Sequence, residues 1–136
     1  MHICSLANGE PFTCAGIQFK MLLPRDVTDS VEAVAEFIRP DQASPIDRHP
    51  NFDQLFFILK GEGEVTIGDE SSVVGPQTIV FIPRNTNHTI RPLTPDGLEY
   101  IYFNVWGRGV PQREQGWKQA YSQIHNRRMG EAVAEL

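Results

Sequence analysis

The sequence predicts an all-β protein, a barrel or sandwich of short strands. Short apolar runs recur from Gly16 to Trp106, each broken by a Gly, Pro, Asn or Asp cluster. Ten prolines and eleven glycines suit a chain rich in turns. Strands this short, with turns this frequent, belong to sandwiches and barrels. A length of 136 residues predicts one domain. A chain of this size buries roughly two thirds of its extended surface, enough for a core without staples.

The elements follow in order. Residues 1–15 read as a loose arm. Gly16–Leu23 reads as a strand ended by Pro24, and residues 25–30 are turn-like. The stretch Val31–Arg39 is ambiguous. Its Ala content and the spacing of Glu32 and Glu36 suit a helix, while Val31, Ala33, Ala35 and Phe37 alternate and Pro40 follows at once. We read it as a strand. Pro40–Ile46 connects to a strand at Asp47, and Pro50–Asp53 is a turn. Gln54–Lys60, Glu64–Ile67, Ser71–Val74, Thr78–Ile82, Asn87–Pro92 and Leu98–Trp106 read as strands. Gly61-Glu62-Gly63, Gly68-Asp69-Glu70, Gly75-Pro76 and Pro95-Asp96-Gly97 bend the chain between them. Beyond Gly107–Pro111 the composition shifts, and Gly116–Met129 has helical character. Trp117, Tyr121 and Ile124 make one stripe there. That stripe predicts a tail helix packed on its own barrel or on a neighbouring subunit, with a lid over the barrel mouth as the alternative. The map is residues 1–29 as arm and first strand, 30–106 as barrel core, and 107–136 as linker and helix, in one structural domain.

Charge and composition narrow the partners. A net charge of -5 argues against nucleic acid and anionic membranes. No apolar run approaches the roughly 18 residues of a membrane span. The first ten residues lack the basic and apolar regions of a secretory signal. Cys4 and Cys14 have no Cys-x-x-Cys spacing, so we expect reduced thiols and a cytoplasmic protein.

The chemistry concentrates between residues 45 and 63. Asp47 and His49 lie two apart, so in an extended strand both side chains point to one face. Gln54 opens the next strand, and His88 follows the turn Pro83-Arg84-Asn85-Thr86-Asn87. Two imidazoles, a carboxylate and an amide oxygen suit a first-row divalent metal.

At these residues the chain resembles a small single-domain cupin. The first motif of that family is Gly-x5-His-x-His-x3-4-Glu-x6-Gly, and here it reads Asp47-x-His49-x4-Gln54-x6-Gly61. The second is Gly-x5-Pro-x-Gly-x2-His-x3-Asn, and here it reads Gly75-x7-Pro83-x-Asn85-x2-His88. Asp47 stands at the position of the first His, Gln54 at that of Glu, and Asn85 at that of the turn Gly. Asn tolerates the left-handed conformation that such a turn demands. The resemblance implies a double-stranded β-helix (a jelly-roll barrel) with a C-terminal helical tail. It also implies Asp47, His49, Gln54 and His88 as metal ligands. Exchanging His for Asp adds a negative charge and exchanging Glu for Gln removes one, so the site keeps the family's net charge. Fe, Zn, Mn and Ni all accept such donors.

Gln54 is neutral and is no general base. A metal at this site would act as a Lewis acid on a carbonyl or hydroxyl oxygen. Tyr102 is the candidate proton donor, with Tyr100 beside it on the same face of the last strand. Phe56 and Ile58 share the face of Gln54, and Ile90 that of His88, which predicts an apolar ligand pocket. Arg84 or Arg91 at the rim would hold a ligand carboxylate. Leu55, Phe57 and Leu59 face the other way, so both faces of one strand need cover, which predicts a homodimer. Two function classes follow. One is a metal-dependent enzyme on a small oxygen-rich metabolite, similar to sugar-acid isomerases and lyases or to dioxygenases. The other is a non-catalytic cupin that binds or senses a small molecule.

Overall fold

The computed structural model describes residues 1–107 and 116–128, with the side chains of 124–128 outside the description. A short 3-10 helix, Leu6–Asn8, leads into nine strands. These are β1 (Glu10–Cys14), β2 (Ile17–Leu23), β3 (Val31–Ile38), β4 (Asp53–Lys60), β5 (Gly63–Ile67), β6 (Glu70–Val74), β7 (Ile79–Ile82), β8 (His88–Pro92) and β9 (Leu98–Val105). One helix, α1 (Trp117–Arg128), follows. No helix among the described residues is long and apolar enough to cross a membrane.

The strands form two antiparallel sheets. The larger has the order β1-β2-β3-β9-β4-β7 and the smaller β6-β5-β8. The chain before β4 widens the smaller sheet. Asp47 and His88 exchange backbone hydrogen bonds of 3.0 and 2.9 Å. Ser44 lies alongside Ile90, donating its N–H to the Ile90 carbonyl at 3.1 Å and accepting the Ile90 N–H on its Oγ at 2.9 Å. The inner faces of the two sheets meet where the ring of Phe56, on β4, lies 6.3 Å from that of His88, on β8.

Antiparallel register puts directly opposed side chains on one face, so the interior can be read in rows. The first row runs Ile82–Gln54–Asn104–Glu32 across β7, β4, β9 and β3. The second runs Val80–Phe56–Tyr102–Val34–Met21 and ends on β2. The third runs Ile58–Tyr100–Glu36–Phe19–Phe12 and ends on β1. Val34, Ile38, Ile58, Ile90 and Leu98 are fully buried in this core.

One expectation needs correction. The first fifteen residues are not a loose arm, because Glu10–Cys14 pairs in full register with β2. Pro11 breaks the strand pattern in sequence, but β1 lies at the sheet edge, where a residue without an N–H is tolerated. In β3 the alternation of Val31, Ala33, Ala35 and Phe37 marks the outer face. The inner face carries Glu32, Val34, Glu36 and Ile38, all buried. Ala33 and Ala35 on the outer face are buried as well, and Glu32 faces inwards onto Asn104 and Tyr121.

The tight turn after β4 fixes the end of the barrel. Gly61 has φ +83°, and a Cβ there would collide with the Gly97 carbonyl and meet Thr94 Oγ1 at 2.8 Å. Only glycine suits a left-handed position with backbone this close. The helix packs on β1, with Trp117 and Tyr121 ring centres 5.0 and 4.9 Å from that of Phe12. Ile124, the third member of the predicted stripe, lies outside the described side chains, as do residues 108–115 and 129–136 altogether. No disulfide joins Cys4 and Cys14.

Candidate functional site

The two imidazoles come together. His49 and His88 ring centres are 5.2 Å apart. Three local features hold them. The ring of His49 stacks on Phe52 at 4.6 Å and 20°, and its carbonyl accepts the Asn85 N–H at 2.8 Å. Asn85 sits at φ 62°, so its left-handed turn carries the chain from Pro83 towards His88. His88 Nδ1 lies 3.0 Å from the Thr86 carbonyl. A carbonyl only accepts, so Nδ1 carries the hydrogen, and in the neutral ring Nε2 carries the lone pair.

Asp47 is buried, while Arg48 is exposed and His49 is half-buried. Asp47 and His88 are opposed in a bridge, so their side chains leave on the same side. Even so, among the described residues no three His, Cys, Asp or Glu side chains close into a group that could hold a metal ion. The structure pairs the imidazoles and sets Asp47 opposite His88 in the bridge.

Gln54 is 6 % exposed and points into the barrel. Its sequence neighbours on either side reach the imidazoles, Phe52 touching His49 and Phe56 lying near His88. Gln54 Nε2 donates to Asn104 Oδ1 at 2.7 Å. Asn104 Nδ2 donates to Glu32 Oε1 at 2.8 Å, and the Tyr121 hydroxyl reaches the same oxygen at 3.4 Å. Gln54 Oε1 is buried and has no hydrogen-bond partner among the described residues. A buried acceptor left in that state is costly, so an unpaired one marks a place for an ion, a water or a ligand.

These donors fit a divalent cation in kind. Two neutral imidazole nitrogens and an amide oxygen are borderline donors that Zn, Mn, Fe or Ni accept. The 5.2 Å between ring centres lies within the span of one ion bonded to a nitrogen of each ring at about 2.0–2.1 Å.

Tyr100 and Tyr102 face inwards and are buried. The Tyr102 hydroxyl lies 3.0 Å from that of Tyr121. Phe56, Ile58 and Ile90 are buried around them. Arg84 is at the surface, where Nε and Nη2 reach Asp53 at 3.2 and 3.4 Å and its backbone N–H donates to the same carboxylate at 3.0 Å. Those bonds hold the Asp53 carboxyl below its usual pKa, the Arg84 side chain contributing most. Arg91 is likewise engaged on the surface, by Glu64 at 2.9 Å.

Sequence reasoning missed Glu32 as part of the interior, while Asn104 shares the face of the two tyrosines and Tyr121 belongs to the stripe expected to pack on the barrel. The register that brings Glu32 opposite Asn104 is a tertiary fact. Arg25 was missed as well. Trp106 is buried against Phe52 at 4.7 Å, and the Arg25 guanidinium lies 3.9 Å over its indole, a cation–π contact at the end of the barrel that holds the histidines.

Two antiparallel sheets closed face to face around inward-facing imidazoles, an amide and tyrosines define a small double-stranded β-helix barrel with a few polar groups set in an apolar interior. The chain belongs to the cupin family, its residues 36–104 matching the cupin domain model. The fold is similar to that of a predicted oxalate decarboxylase from Thermotoga maritima, with TM-score 0.72, 13 % identity, and 77 % of this chain and 99 % of that one covered. KdgF from Halomonas sp. gives TM-score 0.65 at 22 % identity, covering 76 % and 94 %. The Cnp3 cupin domain of Schizosaccharomyces pombe gives TM-score 0.68 at 16 % identity, covering 95 % and 80 %. No curated protein sequence matches the chain.

Proposed function

We propose that the protein is a metal-dependent cupin enzyme that takes a small oxygen-rich metabolite into its barrel. His49, His88 and the Oε1 atom of Gln54 would hold a divalent cation, with Asp47 recruited as the fourth ligand. The single observation that carries this reading is the buried Gln54 Oε1, unpartnered among the described residues, on the face flanked by the residues that touch the paired imidazoles. When bound, the ion supplies Lewis acidity to a ligand oxygen.

The rest of the site is the chain's own. Phe56, Ile58 and Ile90 exclude water and shape the cavity around the ligand carbon skeleton. The Tyr102 hydroxyl, paired with Tyr121, is the proton donor, and Tyr100 lines the wall beside it. Gln54, being an amide, accepts a hydrogen bond without taking the proton. This chemistry suits isomerisation or elimination on a sugar acid. Oxygen chemistry is the second branch, because two imidazoles and a carboxylate are the donors of non-haem iron dioxygenases.

A non-catalytic binding role is the second reading. The absence of a closed group of three His, Cys, Asp or Glu among the described residues favours it. Metal content after chelator-free purification tests the choice, followed by uronate turnover and oxygen uptake with each of Fe, Zn, Mn and Ni. Stoichiometric metal with turnover supports the enzyme. Metal-free protein that takes up neither ion nor substrate overturns it.

A homodimer joined through the outer face of the larger sheet accompanies this reading. Phe81, Leu55, Phe103 and Ala33 make one outward row, and Ile79, Phe57, Ile101 and Ala35 the next. Ile79 and Phe81 are 62 % and 53 % exposed on the edge strand β7. Continuous apolar rows of this kind mark an interface.

A further inference from the structure

Side chains from four elements form one hydrogen-bonded chain through the barrel, and that chain has a direction. Glu32, on β3 and 1 % exposed, accepts on Oε1 from Asn104 Nδ2 and the Tyr121 hydroxyl. Asn104, on β9, must therefore turn its NH2 towards Glu32, at 2.8 Å, and its carbonyl towards Gln54. Gln54, on β4, must in turn give its NH2 to that carbonyl, at 2.7 Å. Its Oε1 is left facing away from Asn104, buried and without a partner among the described residues. Tyr121, on α1, brings a hydroxyl to the same Glu32 oxygen at 3.4 Å, while its other end is anchored by the Cys14 thiol, which donates to its carbonyl at 3.2 Å. The Glu32 acceptor sits at one end of the row, and the sense of the amide at the other end follows from it.

We propose that Glu32 and Tyr121 are positioning residues that lock the Gln54 carboxamide oxygen-inward, so that the site takes an electron-poor partner there, a ligand hydroxyl hydrogen or a cation, and disfavours a carbonyl oxygen. The inference rests on the reading of Gln54 as part of the ligand site. The C-terminal helix thereby takes part in ligand choice without touching the ligand. A flipped amide would present Nε2 instead, and the preference would reverse.

The test uses the full-length protein labelled with 15N. The Gln54→Glu variant identifies the Gln54 side-chain amide signal by removing it. In the wild type that NH2 group exchanges slowly with solvent. In Glu32→Gln its exchange rises about tenfold, equivalent to about 1.4 kcal/mol, and in Tyr121→Phe it rises in the same direction. The backbone amides of β4 and β9 keep their protection in both. A purely structural loss would loosen backbone and side chain together. Mn2+ alone serves as the cation probe, and its affinity falls about tenfold in Glu32→Gln, the same 1.4 kcal/mol. If Glu32→Gln fails to fold, Tyr121→Phe, which removes one oxygen atom, carries the measurement. Unchanged side-chain exchange in every folded variant overturns the positioning role. A wild type that protects the amide, releases it in the variants and ignores Mn2+ supports the positioning role and overturns the metal reading, leaving a hydroxyl as the partner.

Discussion

Asp47 and His88 are opposed across a single antiparallel bridge, trading backbone hydrogen bonds of 3.0 and 2.9 Å. That pairing ties a loop residue to a strand residue and sends both side chains to the same side. If Asp47 is the fourth ligand, Asp47→Asn lowers divalent-metal affinity by about ten- to a hundredfold, the range seen when a metal centre loses a supporting group. His88→Ala lowers it further. Calorimetric titration with Zn2+ or Mn2+ measures both, and equal affinity in wild type and Asp47→Asn would remove Asp47 from the site.

The Asp53–Arg84 pair makes a prediction about acid. Hydrogen bonds from the Arg84 side chain, then from its backbone N–H, depress the Asp53 pKa below its ordinary value of 3.8. A depressed carboxylate stabilises the fold above its unfolded pKa, and that contribution is lost as pH falls through the folded value. The pair is well exposed, with side chains about a third and nearly half accessible, so its weight is about 0.2–1 kcal/mol. Asp53→Asn should be less stable than wild type by that amount at pH 7 and indistinguishable from it in strong acid. Urea denaturation at the two pH values checks it.

Two turns carry backbone that most residues refuse. Asn85 at φ 62° should accept Gly with little change, while Asn85→Val costs about 1–2 kcal/mol, the price of a left-handed non-glycine residue. Gly61→Ala should cost more than that, because its Cβ meets the Gly97 carbonyl. Thermal melts rank the three variants, and a Gly61→Ala protein as stable as wild type would contradict the geometry.

Placing a charge on the outer face tests the dimer. Phe81→Glu keeps the interior intact, since Phe81 is 53 % exposed, and should convert the dimer to monomer. Sedimentation velocity reads the outcome. A wild-type monomer, or a dimer unmoved by the substitution, sends the interface elsewhere.

Much of this architecture can be read from residue order. The strand bounds from Gln54 to Trp106 fall within a residue or two of the folded ones, because Gly and Pro mark both ends of most runs. Gln54, Phe56 and Ile58 share a buried face, as alternation requires. Glu32 is different. Its partners, Asn104 and Tyr121, lie 72 and 89 positions away, and no local pattern announces such a contact. The small apolar residues beside it, Ala33 and Ala35, are buried as well. The N-terminal strand was hidden by Pro11, which only the edge position of β1 makes harmless.

The loop from Pro40 to Pro50 joins the smaller sheet at few points, Ser44 and Asp47 among them. Local opening free energies scale with how many such ties must break. Access to the histidines should then be governed by brief detachment of this loop, with the barrel staying closed elsewhere. The Asp47 amide would exchange far sooner than the amides of β4, and ligand association would be limited by that flicker, so that a tether added at Ser44 would slow entry and exit alike and leave affinity nearly untouched.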